Sequence, residues 1–168
     1  ARRQLYLFIS RATTRPDEAV VRNLADPGFQ TVVRSALDLI AEDPTFHPAT
    51  LGPGELDPSC ISSDFVTGCA DAARDGHLGM FGHGLSKECP PYEIEYIRNR
   101  EINHRGHQLA DIAGFYKAFG LGRASDTHER IDHVSMETEF MAVLLEREVY
   151  ARRGGLGAER VEVSREAQ

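Results

Sequence analysis

The 168-residue sequence is 41% hydrophobic and carries a formal net charge of −7. A chain of this length is expected to form one domain that buries roughly two-thirds of the surface it exposes when unfolded. The acidic balance argues against nucleic acid as a partner, because phosphate binding needs a basic face, and it favours a cationic partner such as a basic peptide. No apolar run approaches the roughly 18 residues of a membrane span, and no charged start followed by an apolar core indicates an export signal. We therefore expect a cytoplasmic protein without direct membrane insertion.

Apolar spacing predicts three helices in the first part of the chain. The first ends before Pro16, and Asp17 and Glu18 then begin the second, because acidic residues favour a helix N-terminus. The third follows Pro27-Gly28 and ends at Asp43-Pro44. In each helix the apolar residues recur on one face: Leu5, Phe8, Ile9 and Ala12 in the first, Val20, Val21 and Leu24 in the second, and Phe29, Val32, Val33, Ala36, Leu37 and Ile40 in the third.

Two stretches rich in proline or glycine predict loops, over residues 43–59 and residues 76–97. The second loop ends in the Pro90-Pro91 pair and its flanking residues, which no helix interior would tolerate. Between the two loops, Ser63 and Asp64 are good capping residues for a helix that we expect to end near Gly76.

Two long helices are predicted after the second loop. The first carries an apolar stripe from Leu109 to Phe119 and ends at Gly120 and Gly122. The second begins at Asp126 or Thr127, and its apolar residues cover several sides, so we expect it to lie at the centre of the fold.

Beyond these helices, residues 152–168 lose all periodicity and form a polar tail. No stretch favours a strand. The sequence therefore predicts an all-α protein with a single-domain helical bundle over residues 1–151.

Three polar residues do not fit a plain bundle, namely Asp132, His133 and Glu137 on the predicted central helix. A carboxylate on an apolar helix face is costly unless it is paired or lies at a functional groove. Two interpretations stay open: Glu137 forms a salt bridge with Arg98 or Arg105, or the three residues line a recess for a positively charged group.

The segment from Cys89 to Tyr96 is the second unusual feature. Its two prolines fix an extended backbone, from which Tyr92 and Glu93 present an aromatic ring and a charge at low entropic cost. The alternative is a stiff linker in which Tyr92 only packs.

Histidines allow an enzyme hypothesis from a different class. A helical metal-dependent phosphohydrolase could use His104, His107, Asp132 and His133 as ligands, although their spacing matches no recurrent metal site. No nucleophile elbow, Walker loop or dinucleotide loop is present in the sequence.

The order of these motifs resembles a known family. Pro-Pro-Tyr-Glu-x-x-Tyr at residues 90–96 precedes the helix from Gln108 to Leu121, and Asp-His-x-x-x-Glu-x-Glu-Phe-Met follows at residues 132–141. This arrangement is similar to the TorD/DmsD family of redox-enzyme maturation chaperones, within the NarJ-like superfamily. The resemblance extends from about Asp64 to Leu145. The cysteine before the prolines is similar to that of chaperones serving dimethylsulfide and ethylbenzene dehydrogenases and chlorate and selenate reductases.

The resemblance implies a binding protein and no enzyme. Such chaperones bind the twin-arginine signal peptide, or the apo catalytic subunit, of a molybdopterin oxidoreductase precursor and hold it in the cytoplasm until cofactor insertion. They carry no cofactor of their own, although transient contact with the molybdenum cofactor or a guanine nucleotide has been proposed for the family. The peptide-binding residues that the resemblance implies are Pro90, Pro91, Tyr92, Glu93, Tyr96, Asp132, His133 and Glu137.

Family members usually continue into further C-terminal helices, whereas this sequence ends in a polar tail. The resemblance thus leaves two expectations open: the bundle is completed by residues absent from this chain, or by a second copy in a domain-swapped homodimer.

Overall fold

The computed structural model describes residues 1–43, 70–81, 89–97, 102–122 and 129–154. These ranges contain six α-helices and no strand, which confirms the all-α class. The helices are α1 (Arg2–Thr13), α2 (Glu18–Leu24), α3 (Pro27–Ala41), α4 (Ala70–Phe81), α5 (Ile102–Ala118) and α6 (Val134–Arg153), with a short 3₁₀ helix at Glu93–Tyr96.

The first three helices begin and end where local chemistry places them. The Asp17 carboxylate accepts a hydrogen bond from the Val20 N–H at 2.7 Å and caps α2. Asp26 does the same for the Phe29 N–H at 2.7 Å, with Pro27 as the first residue of α3. Such caps satisfy N–H groups that have no partner inside the helix. The sequence-based predictions for α1, α2 and α3 are thereby confirmed.

Helix α1 packs most extensively against α6 and also contacts α3. An ion pair between Arg3 and Glu146, 3.2 Å long, joins α1 to α6 at the surface. Val33 and Ala36 of α3 are buried in this layer. Helix α1 therefore covers one side of α6, and α2 and α3 pack against α1.

Helices α5 and α6 meet in an aromatic cluster. Tyr116 of α5 and Phe140 of α6 stack with ring centroids 4.5 Å apart, and Leu144 of α6 is fully buried beside them. Phe115 and Phe119 contact the edges of Phe140 at 5.5 and 5.6 Å. This cluster fixes the position of the last turns of α5 against the first half of α6.

Helix α5 ends in a hydrogen-bonded glycine turn, as predicted. Gly120 has a φ of +70°, which an L side chain would strain. Its N–H donates to the Lys117 carbonyl at 2.8 Å, and the Leu121 N–H donates to the Tyr116 carbonyl at 3.0 Å. These two bonds form a Schellman motif that satisfies the last carbonyls of the helix.

The prediction that residues 76–97 form a loop was wrong for residues 76–81. Helix α4 continues through Gly76 to Phe81, although a glycine costs a helix roughly 1 kcal/mol. Tertiary contacts favour the extra turns: His77 Nε2 lies 3.2 Å from the Thr13 carbonyl, and Phe81 packs against His133 with ring centroids 6.4 Å apart. The predicted start of this helix at residues 63–64 lies outside the described ranges, as do all but the first residue of the predicted loop at 43–59 and most of the predicted tail at 152–168. The predicted start of that tail was wrong, because α6 continues through Arg152 and Arg153.

The predicted start of the central helix at Asp126 or Thr127 was also wrong. Helix α6 begins at Val134, with His133 in an extended conformation as its N-cap. Ile131, predicted on a helix face, lies in the preceding turn, where it still packs against the aromatic cluster. The turn forms because its backbone pairs with a distant segment, which no local pattern reveals.

No helix within the described ranges is both long and apolar enough to cross a membrane.

Replacing Leu144 by Ala tests the position of the core. Leu144 is fully buried in the aromatic cluster, so the substitution should lower the free energy of unfolding by about 3 kcal/mol and Tm by about 6–12 °C. Leu39→Ala is the matched control, because Leu39 is 60% exposed and should change the free energy by less than about 0.5 kcal/mol. Thermal unfolding followed by circular dichroism measures both. Equal losses in the two variants would contradict this placement of the core.

Candidate functional site

The two sequence motifs meet in one joint, formed by residues 91–94 and the turn at 130–134. Tyr92 and His133 pair as an isolated antiparallel bridge. The Glu93 N–H donates to the Asp132 carbonyl at 3.0 Å, and the Val134 N–H donates to the Pro91 carbonyl at 2.8 Å. The structure thus brings together the Pro-Pro-Tyr-Glu and Asp-His motifs, which are far apart in the sequence.

Asp132 holds the joint together from inside. Its side chain is 0% exposed, and both carboxylate oxygens accept hydrogen bonds from Arg130, at 2.9 and 2.7 Å. The Ile94 N–H also points to this carboxylate, at 3.4 Å. The Arg130 guanidinium lies over the Tyr92 ring, 4.3 Å from its centroid. Arg130 of the same chain therefore contacts Asp132 and Tyr92, two residues that were predicted to bind a peptide.

His133 is equally buried, at 1% exposed. Its Nδ1 accepts a hydrogen bond from the Ser135 N–H at 3.1 Å and so caps α6. With Nδ1 as acceptor, Nε2 carries the proton and lies 3.6 Å from the Glu129 carboxylate. Burial lowers the pKa of His133, partly offset by Glu129. His133 is thus a neutral residue that positions the start of α6.

The other side of the joint carries unpaired polar groups. Burial, followed by a hydrogen bond and charge repulsion from Glu93, raises the pKa of Glu137 from 4.5 to about 8. In the described part of the chain, Glu137 Oε1 and the Tyr116 hydroxyl are buried without a hydrogen-bond partner. Burial and the nearby Glu137 and Glu93 charges raise the pKa of Tyr116. We call Glu93, Glu137 and Tyr116 the acidic recess.

Glu137 does not form the predicted salt bridge with Arg105. Both terminal nitrogens of Arg105 instead donate to Glu95, at 3.2 Å each. Glu95 also lies 3.7 Å from Arg130, which links α5 to the joint. Arg98, the other predicted partner of Glu137, lies outside the described residues.

The remaining predicted site residues differ in exposure. Pro91 is buried, Pro90 and Tyr92 are half-buried, and Glu93 is exposed. Tyr96, at the end of the 3₁₀ helix, is 66% exposed. Glu93 and Tyr96 are therefore accessible to a ligand, whereas Asp132 is fully buried and paired with Arg130, and His133 is almost fully buried.

A cavity of about 220 Å³ lies on the Tyr92 and His133 side of the joint, where Arg15, Arg74 and His77 join its lining. Arg74 is also paired with Asp71, at 2.6 Å. These residues come from the α1–α2 connection and from α4, and no motif marked them in the sequence.

Sequence reasoning also missed Arg130 and Tyr116. Arg130 precedes Asp132 by two residues, a spacing that a tight turn can close but a helix cannot. In the sequence, Tyr116 falls within the apolar stripe from Leu109 to Phe119 and is interpreted only as a packing residue. The available signal was the hydroxyl of Tyr116 on an otherwise apolar stripe, followed by a predicted helix that carries Glu137 on an apolar face.

The geometry does not support the metal-ligand hypothesis. Asp132 and His133 already bind internal partners, and His107 is exposed on α5. The described residues contain no group of three or more His, Cys, Asp or Glu side chains placed to hold a metal ion. The His104 side chain lies outside the described residues.

Replacing Asp132 by Asn tests the internal pairing. The change leaves Arg130 without its buried partner, so we expect the free energy of unfolding to fall by about 2–4 kcal/mol. Asp71→Asn is the matched control, because it breaks an Arg–Asp pair of similar length, 2.6 Å, whose carboxylate is 83% exposed. The control should change the free energy by less than about 0.5 kcal/mol. Urea unfolding compares them, and similar values for both variants would refute a stabilising role of the buried pair.

The raised pKa of Glu137 predicts a pH-dependent effect of Glu137→Gln. The folded protein favours the protonated acid, so its stabilising contribution is complete below pH 4.5 and is lost as the pH rises towards 8. Glutamine mimics the neutral acid. The variant should therefore match the wild type near pH 4 and be more stable by about 2 kcal/mol above pH 8, after allowance for solvent screening.

Thermal melting of both proteins between pH 4 and pH 9 measures this difference. A constant difference in Tm across the range would show that Glu137 titrates normally.

Comparison with known proteins places both motifs in one family. Residues 69–168, more than half of the chain, match the family described as nitrate reductase delta subunit. No curated protein matches the chain. The matched region contains the whole joint and the acidic recess, whereas α1, α2 and α3 lie outside it. The chain therefore belongs to the nitrate reductase delta subunit family, a NarJ/TorD-like family of chaperones for molybdoenzyme assembly.

Proposed function

We propose that this protein is a cytoplasmic assembly chaperone that binds the twin-arginine signal peptide of a molybdopterin oxidoreductase catalytic subunit. It holds this precursor until the cofactor is inserted. One observation carries the proposal: the loop that enters the joint exposes a carboxylate, Glu93, and a tyrosine, Tyr96, and Glu93 interacts with the half-buried Glu137. Family membership supports the role in molybdoenzyme assembly.

The chemistry of the signal peptide suits this surface. Two adjacent arginines present planar guanidinium groups that carboxylates bind through charge-assisted, paired hydrogen bonds. An aromatic ring such as that of Tyr96 can lie against a guanidinium or against the apolar stretch that follows. The acidic net charge of −7 also attracts a basic peptide during encounter.

The buried residues of the predicted site have a supporting role in this proposal. Asp132 and Arg130 fix the loop that carries Glu93, and His133 fixes the first turn of α6, from which Glu137 projects. Ligand-binding side chains lose less entropy when their backbone is already held in place.

Titration calorimetry with a twin-arginine signal peptide tests the function. We expect saturable binding that weakens when both arginines are replaced by lysines, because an ammonium group cannot make paired hydrogen bonds.

Two tyrosine variants locate the contact. Tyr96→Ala should weaken binding about tenfold, a loss of ~1.4 kcal/mol. Tyr150→Ala is the control: Tyr150 is similarly exposed, at 69%, but lies about 24 Å from the start of α6 along the helix axis. Equal affinity of the arginine and lysine peptides, or equal effects of the two variants, would contradict the proposed site.

A further inference from the structure

The acidic recess is built from three separate elements. Glu93 comes from the loop after Pro91, Glu137 from the first turn of α6, and Tyr116 from the last turn of α5. Glu93 is exposed, Glu137 is partly buried, and Tyr116 is only 7% exposed. The acidic recess therefore combines one solvent-facing carboxylate with a carboxyl and a hydroxyl that are largely buried.

Two polar atoms in the recess lack partners. Buried polar atoms in proteins almost always form a hydrogen bond. Within the described ranges, the Tyr116 hydroxyl and Glu137 Oε1 are exceptions, and the two groups interact electrostatically. A hydroxyl more than nine-tenths buried and a carboxyl oxygen, both without a hydrogen-bond partner and close enough to interact electrostatically, indicate that a ligand atom completes the site.

The charges around Glu137 define the kind of ligand. Glu93 on the loop and Asp132 in the turn before α6 act on its carboxyl, and Tyr116 faces it from α5. Among the described residues, no cation contributes to the pKa shift of Glu137. The arginines of the joint and of α5 have other partners: Arg130 is paired with Asp132, and Arg105 with Glu95. The recess thus has an excess of acidic oxygen atoms and favours a cation.

We propose that the acidic recess binds one guanidinium group and that Glu137 releases its proton to solvent when this group binds. The inference rests on the proposed function, since the group would be one arginine of the signal peptide. In the bound state, the Glu137 and Glu93 carboxylates accept N–H bonds from the guanidinium. The Tyr116 hydroxyl then donates to the Glu137 carboxylate.

The proton balance follows from the free protein. Because the pKa of Glu137 is about 8, its carboxyl is largely protonated at pH 7. An adjacent positive charge favours the ionised form, so the O–H bond breaks and the proton leaves to solvent. His133 does not account for such a release, because burial lowers its pKa and keeps it neutral. Affinity for the peptide should therefore rise by up to about tenfold per pH unit below pH 8 and level off above it.

Calorimetry in two buffers counts the released protons. An N-acetylated twin-arginine peptide is titrated at pH 7 in phosphate and in Tris, whose ionisation enthalpies differ, and the difference in binding enthalpy gives the number of protons. We expect close to one proton released per peptide bound by the wild-type protein.

Three variants assign the proton. Glu137→Gln should release none and show an affinity that does not change with pH. Glu139→Gln, the matched control on an exposed position of α6, should release as many as the wild type. Tyr116→Phe should remain folded, release the proton and bind several-fold more weakly, because it lacks the hydroxyl that stabilises the carboxylate.

The outcomes separate the two proposals. Peptide binding without proton release, or release that persists in Glu137→Gln, overturns the inference and leaves the proposed function standing. Absence of peptide binding by the folded wild-type protein overturns the proposed function and the inference with it.

Discussion

A buried carboxylate must be paired, and the joint of this protein is arranged around that requirement. Asp132 is fully buried between the loop at 91–94 and α6, and Arg130 neutralises it with two hydrogen bonds. Removing Asp132 would leave Arg130, whose side chain is 37% exposed, with only the more distant Glu95 carboxylate at 3.7 Å. The same arginine covers the ring of Tyr92, so the ion pair also holds the loop. The position of Glu93 therefore depends on the pairing of Arg130 with Asp132.

The joint separates two kinds of acidic residue. Asp132 is paired with Arg130 of the same chain, and Glu95 is paired with Arg105. Glu137 has none among the described residues, and burial beside Glu93 raises its pKa to about 8. Asp132 and Glu95 are thus paired with arginines in the free protein, whereas the Glu137 carboxyl group keeps its proton.

Local chemistry predicted much of the fold but little of the joint. Asp17, Pro27 and the turn at Gly120 marked the ends of their helices correctly in the sequence, because each acts on its own neighbours. Helix α4 passes through Gly76 because contacts from distant residues outweigh a local preference. The start of α6 depends on pairing with residues far away in the sequence. Both motifs were visible in the sequence, but the internal role of Arg130 required the structure.

Hydrogen exchange shows whether the buried Arg130–Asp132 pair holds the loop at 91–94 on α6, because it reports on individual N–H groups. The amides of Glu93 and Val134 donate the two bonds of the bridge, to Asp132 and Pro91. In Asp132→Asn, we expect the amides of Glu93 and Val134 to exchange faster together, while amides in the middle of α1 and α3 keep their protection. Unchanged exchange at Glu93 and Val134 would show that the buried ion pair does not hold the loop on α6.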